Sequence, residues 1–185
     1  MIYSRIIIND GSDIKEILNK LNLVKKTEFA FYDLIYLNKN GASITEDTLK
    51  IRVYQKNEWN TKDVLVIRKT APVTNGVKED KVLLKEQFDT LEEAQAFVNK
   101  NLLEQYEYKI KLEKTGTEYK SDNLNVWVEN IKNVGISIEF GSEDSKVIED
   151  AISLFDVKER LNISIPEYLY QKKCNKKIED EAEIE

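Results

Sequence analysis

Lys50 and Arg52 stand two residues apart in the run Leu49–Tyr54, and alternate residues of a β-strand project from one face. The pair therefore presents two cations to one side of a sheet, with Leu49, Ile51 and Val53 on the other. A second alternating run, 64–69, brings Arg68 or Lys69 to a neighbouring strand, and the polar stretch 55–63 between the runs has the composition of a hairpin connection. Three later runs divide in the same way. Lys109 and Lys111 oppose Tyr108, Ile110 and Leu112; Trp127 and Glu129 oppose Val126 and Val128; Ser137 and Glu139 oppose Ile136, Ile138 and Phe140. An ordinary half-solvated sheet gives this alternation. So does a sheet closed on itself with its charged faces inward. There the basic residues would hold a polyanion through charge-assisted hydrogen bonds, and Glu86, Glu129 and Glu139 would hold a divalent cation that neutralises it. Glu86 competes for the inward position with Lys85, because Val82, Leu84 and Phe88 share its parity. Trp127 shares the parity of Glu129 and is placed either to stack on a base or to pack in a core.

Composition removes other chemistries. The 185 residues include no histidine and one cysteine, Cys174. That rules out a Ser-His-Asp triad, a Cys-His pair, a His-ligated zinc site and an intramolecular disulfide. A metal here would be bound by carboxylate oxygen, which suits magnesium, manganese or calcium. No Gly-rich phosphate loop is present among the six glycines. The net charge of −6 is concentrated in Ile178–Glu185, which leaves the remainder close to neutral. This argues against binding extended nucleic acid while permitting a local basic pocket. No apolar run is long enough to span a membrane, and the N-terminus lacks the features of a signal peptide, so the expected location is the cytoplasm.

The elements that must position these residues are also readable. Ile2–Ile8 reads as a strand, and Asp13 with Glu16 as a capping box ahead of a helix over about 13–23. Strands are expected at 29–37, 82–88, 106–114, 124–131 and 136–140, with a loop at 38–47, a flexible stretch at 70–80 and a turn at Gly116. Thr90 and Glu93 cap a second helix, Val147–Phe155 carries the apolar spacing of a third, and a short one is expected near 166–171. Hairpin connections dominate, so the fold class is α+β with an antiparallel sheet. One domain covers 1–173, followed by an acidic, disordered tail over 174–185.

The succession LKIR, VIRKTAP, KEQF leading into a capped helix, YKIK, VENIKNVGISIEF and IPEYL resembles the CYTH, or triphosphate tunnel metalloenzyme, family across nearly the whole chain. The resemblance implies an eight-stranded antiparallel β-barrel, a tunnel with helices packed outside, acting on triphosphates with Mg or Mn. It implies phosphate binding by Arg5, Lys50, Arg52, Arg68, Lys109 and Lys111, and metal binding by Glu129, Glu139 and Glu86, with Glu129 and Glu139 as the catalytic acids. The chain also departs from the family pattern. The first-strand E-x-E-x-K falls on Met1, Tyr3 and Arg5, so only the cation is kept, and Gly141 stands in place of the second acid of the closing E-x-E. Loss of acids should weaken metal chemistry before anion binding. Three readings follow: a metal-dependent triphosphatase with an altered site, a catalytically degenerate polyanion-binding or regulatory protein, and a class IV-type adenylate cyclase, for which no purine pocket is evident. The expected partner is a small-molecule triphosphate or polyphosphate, and a homodimer is left open.

Overall fold

In the computed structural model, which describes residues 1–9, 13–70, 72–74, 77–78 and 80–182, the chain is an antiparallel α+β fold. Eleven strands and four helices occur among the described residues. In chain order they are β1 (Ile2–Ile8), α1 (Ile14–Lys20), β2 (Val24–Asn38), β3 (Thr48–Asn57), β4 (Val64–Thr70), β5 (Val73–Thr74) and β6 (Val77–Lys78). There follow β7 (Lys81–Phe88), α2 (Leu91–Asn101), β8 (Tyr106–Lys120), β9 (Asn125–Ile131), β10 (Gly135–Ser142), α3 (Ser145–Ile152), β11 (Val157–Leu161) and α4 (Ile165–Ala182).

Eight long strands form an unbroken antiparallel order, β1-β10-β9-β8-β2-β3-β4-β7, with β6 and β11 also paired to β1. The sheet wraps around a cavity lined from both its first and its last long strand. No ladder joins β7 to β1 among the described residues, so the sheet is an incompletely closed barrel. Two apolar patches of its outer surface are covered by helices. Leu18 of α1 and Ile148, Ala151 and Ile152 of α3 pack with Ile6, Val126, Ile138 and Phe140, and Ala94 and Val98 of α2 pack with Leu49, Ile51 and Val66. Asp13 and Thr90 cap α1 and α2 as their spacing indicates, and the capping box of Thr90 and Glu93 is complete.

Several elements differ from the sequence reading. Gly116 lies inside β8, opposite Phe29 of β2 and Glu129 of β9, instead of in a turn. β11, with the sequence VKERL, has too few apolar positions to declare itself and exists by pairing with β1. α4 continues to Ala182, so most of the stretch set apart as a tail is helical, and 183–185 lie outside the described residues.

Candidate functional site

The interior of the barrel is a cavity of about 380 Å³. Two-residue steps along the strands stack it in three layers. At the bottom Ile7, Ile35, Ile110, Leu112 and Ile131 join Leu161 and Ile165 in an apolar plug. Two residues further along, the same strands contribute Arg5, Asp33, Lys114 and Glu129, and β3 and β10 add Lys50, Arg52 and Glu139, which makes a charged belt. A further step reaches an aromatic rim. Phe29, Phe31, Tyr54 and Trp59 contact one another at centroid distances of 5.2–5.6 Å, and Tyr3 meets Trp127 at 6.0 Å.

The belt contains two ion clusters. In the first, Asp33 is fully buried and accepts a bidentate pair of bonds from Arg52, Nε to Oδ1 at 2.7 Å and Nη2 to Oδ2 at 2.8 Å, and one from Lys50 Nζ at 3.0 Å. Arg52 is sandwiched against the Phe31 ring, 3.6 Å from its centroid. Burial would raise the Asp33 carboxyl, but Arg52 and Lys50 outweigh it and hold the group well below the usual carboxylate range. Burial and the adjacent Arg52 charge, opposed by Asp33, bring the Lys50 ammonium down to about 7. Asp33 is already matched by Arg52, so Lys50 experiences a net positive surrounding.

In the second cluster Arg5 hydrogen-bonds Glu129 and Ser137 through Nη1 and meets Glu139 through Nη2 at 2.9 Å, while Lys114 binds the other oxygen of Glu129. Burial lowers the Lys114 ammonium against the pull of Glu129. Burial would raise Glu129, but Arg5 and Lys114 hold it below its ordinary value. Lys69 and Asp80, 2.7 Å apart, and Lys85 complete the charged lining. The cavity wall thus carries the cations Arg5, Lys50, Arg52, Lys69, Lys85 and Lys114 against the acids Asp33, Asp80, Glu129 and Glu139.

Of the sequence-derived site residues, Arg5, Lys50, Arg52, Glu129 and Glu139 meet in this cavity. Four others lie elsewhere. Arg68 pairs opposite Leu49 on the outer face and holds Asp47 through Nε and Nη2; Lys69, one residue on and opposite the cavity-lining Thr48, takes the inward position. Glu86 pairs opposite Val66 of an outer core and is exposed, whereas Lys85 lines the cavity. Lys109 and Lys111 are on the outside, with Glu107 and Glu113 as partners. The first half of β8 passes the apolar plug, so Ile110 and Leu112 face inward there and the charged parity faces out. Lys114, on the Leu112 parity but past the plug, is the inward cation. Asp33, absent from the sequence-derived set, is a lone acid within FAFYDLIYL, and a charge in so apolar a strand must be buried and paired.

The donor set does not suit a resident magnesium or manganese ion. Glu129 and Glu139 share Arg5 between them, and no group of three acidic, histidine or cysteine side chains converges among the described residues. Hard divalent cations favour about six oxygen ligands.

No protein-family model and no curated protein matches the chain. Solved structures do. The PH1819 protein of Pyrococcus horikoshii superposes with a TM-score of 0.67 at 16% identity, over 94% of this chain and 98% of that one. A proposed adenylate cyclase from Vibrio parahaemolyticus gives 0.58 at 14% identity, over 90% and 95%. A proposed adenylyl cyclase from Hippeastrum, described as having a dominant triphosphatase activity, gives 0.57 at 12% identity, over 82% and 84%. The chain shares their fold, in agreement with the antiparallel α+β barrel that the sequence resemblance implied, here incompletely closed. No helix among the described residues is long and apolar enough to cross a membrane.

Proposed function

We propose that the cavity binds the polyphosphate portion of a small molecule, a triphosphate or a short condensed phosphate. The observation that carries this reading is the imbalance of charge around Lys50. Six cations face four acids on one walled cavity, and in the middle of the belt burial, with the adjacent charges of Arg52 and Lys69, drives Lys50 towards its neutral form. An entering polyanion would relieve that surplus and accept hydrogen bonds from Lys50, Lys69, Lys85 and the accessible edge of Arg52. The aromatic rim would leave room for an organic group at the outer end of the ligand.

The test is a calorimetric titration with tripolyphosphate, ATP and inorganic phosphate, alongside a thermal shift. Tripolyphosphate should bind more tightly than phosphate and raise the melting temperature. Equal or absent binding of the three would refute the reading. Hydrolysis is the second reading, supported by the triphosphatase activity described for the Hippeastrum protein of like fold. Under it, phosphate release should be lost in Glu139→Gln, and turnover that survives this change would remove Glu139 from the chemistry. Assaying ATP for cyclic nucleotide separates both from a cyclase.

A further inference from the structure

Two carboxylates facing one cavity repel each other, and desolvation adds to the cost unless a cation lies between them. Here that cation is part of the chain. Arg5 spans Glu129 and Glu139, which come from adjacent strands, and the three side chains are only 11%, 3% and 15% exposed. Ser137 accepts another bond from the same guanidinium. Lys114 engages the remaining oxygen of Glu129, so both oxygens of that carboxylate have cationic donors.

We infer that Arg5 is a built-in counter-ion standing in the position between Glu129 and Glu139, so that the cavity takes a condensed phosphate without a divalent metal. The part concerning Arg5 and the acids stands alone; the part concerning the ligand rests on the polyanion reading above. A planar guanidinium, weakly hydrated and always charged, can donate to two carboxylates at once. Arg5 and Lys114 together balance Glu129 and Glu139. The acidic wall is thereby neutralised and does not repel an incoming phosphate. The surplus positive charge is left to Lys50, Arg52, Lys69 and Lys85, which face only Asp33 and Asp80. A divalent ion seeking these acids would have to displace a tethered cation and crowd its charge against it. Magnesium also requires near-octahedral oxygen coordination, which two already engaged carboxylates do not provide.

The experiment uses the full chain and two probes. Manganese is titrated and followed by the electron paramagnetic resonance of the free ion, and tripolyphosphate is titrated calorimetrically, once with EDTA and once with magnesium. Wild-type protein should take up little manganese. Arg5→Gln, which removes the charge shared by the two acids while Lys114 still engages Glu129, should bind manganese at least roughly tenfold more tightly, as expected when oxygen ligands become available. Adding Glu139→Gln to that variant should abolish the gain, and Arg5→Lys, which keeps the charge, should not show it. Tight manganese binding by the wild type that disappears in Glu139→Gln would overturn the assignment. So would a folded Arg5→Gln with no gain. The wild-type measurements decide the matter if Arg5→Gln fails to fold. Tripolyphosphate should bind in EDTA at least as tightly as with magnesium, and a requirement for magnesium would overturn the metal-free mode. If tripolyphosphate binds under neither condition, the polyanion reading fails, while the manganese titrations still judge Arg5.

Discussion

Lys50 sits between Asp33, which favours its charged form, and Arg52 and Lys69, which together with burial oppose it. With its value lowered to about 7, well below that of an ordinary lysine, the side chain is protonated in both folded and unfolded states below pH 7. Between about 7 and the ordinary lysine value the unfolded chain holds the proton more strongly. Stability therefore gains a contribution that grows as pH rises through this window. A phosphate ligand favours the ammonium, so its binding should take up a proton and weaken as pH rises through 7. Comparing wild type with Lys50→Met cancels the titration of the ligand itself. The difference in affinity should shrink towards high pH, and a constant difference would show that Lys50 does not titrate there. Arg52 has a separate structural role, because its removal leaves the fully buried Asp33 with Lys50 alone. Arg52→Ala should cost about 3–5 kcal/mol in urea denaturation, the usual penalty for orphaning a buried ionic partner. Adding Asp33→Asn should recover part of it.

At the scale of elements, Gly116 shows how strand and turn are confused. A glycine between Thr115 and Thr117 reads as a break, yet β8 runs straight through it. The absence of a side chain serves a close approach: a Cβ there would lie 2.5 Å from Phe29 Cζ and 2.8 Å from the Val128 carbonyl oxygen. Gly116→Ala should therefore push Phe29 out of the rim and destabilise by roughly 1–3 kcal/mol, as overpacking does. The urea midpoint reads this change, and an unchanged midpoint would mean that Phe29 yields freely. The antiparallel hairpins, the caps of α1 and α2 and the inward positions of Lys50, Arg52, Glu129 and Glu139 were legible because alternation there matches a uniform inner face. Lys109 and Lys111 were misplaced because the inner face is not uniform along β8: it is apolar at the plug and charged beyond it, and period-two parity does not say which side is in. Arg68 and Lys69, adjacent and of like charge, are separable only through the pairing register of β3 and β4. Pairing across distant strands, such as β1 with β11, leaves no local trace in composition.

At the scale of the whole molecule, the plug decides what shape of ligand the barrel can accept. Ile7, Ile35, Ile110, Leu112 and Ile131 come from β1, β2, β8 and β9, and Leu161 and Ile165 are added where β11 turns into α4. These side chains are at most 5% exposed, so a polyanion that reaches the belt meets a dry wall, and threading further would strip phosphate oxygens of water with no donors to replace it. The interior is thus a pocket closed at its lower end, in contrast to a channel open at both ends. Affinity should consequently rise with the number of phosphates only until the belt is filled, then level off as further units remain outside in water. A calorimetric series from pyrophosphate through tripolyphosphate to longer linear polyphosphates, expressed per chain, should show this plateau. Continued steep growth in affinity with length would require a second cationic track or a passage through the plug. Leu161→Ala distinguishes these two: it opens the plug and should extend the plateau to longer chains only if the lower end is where they are stopped.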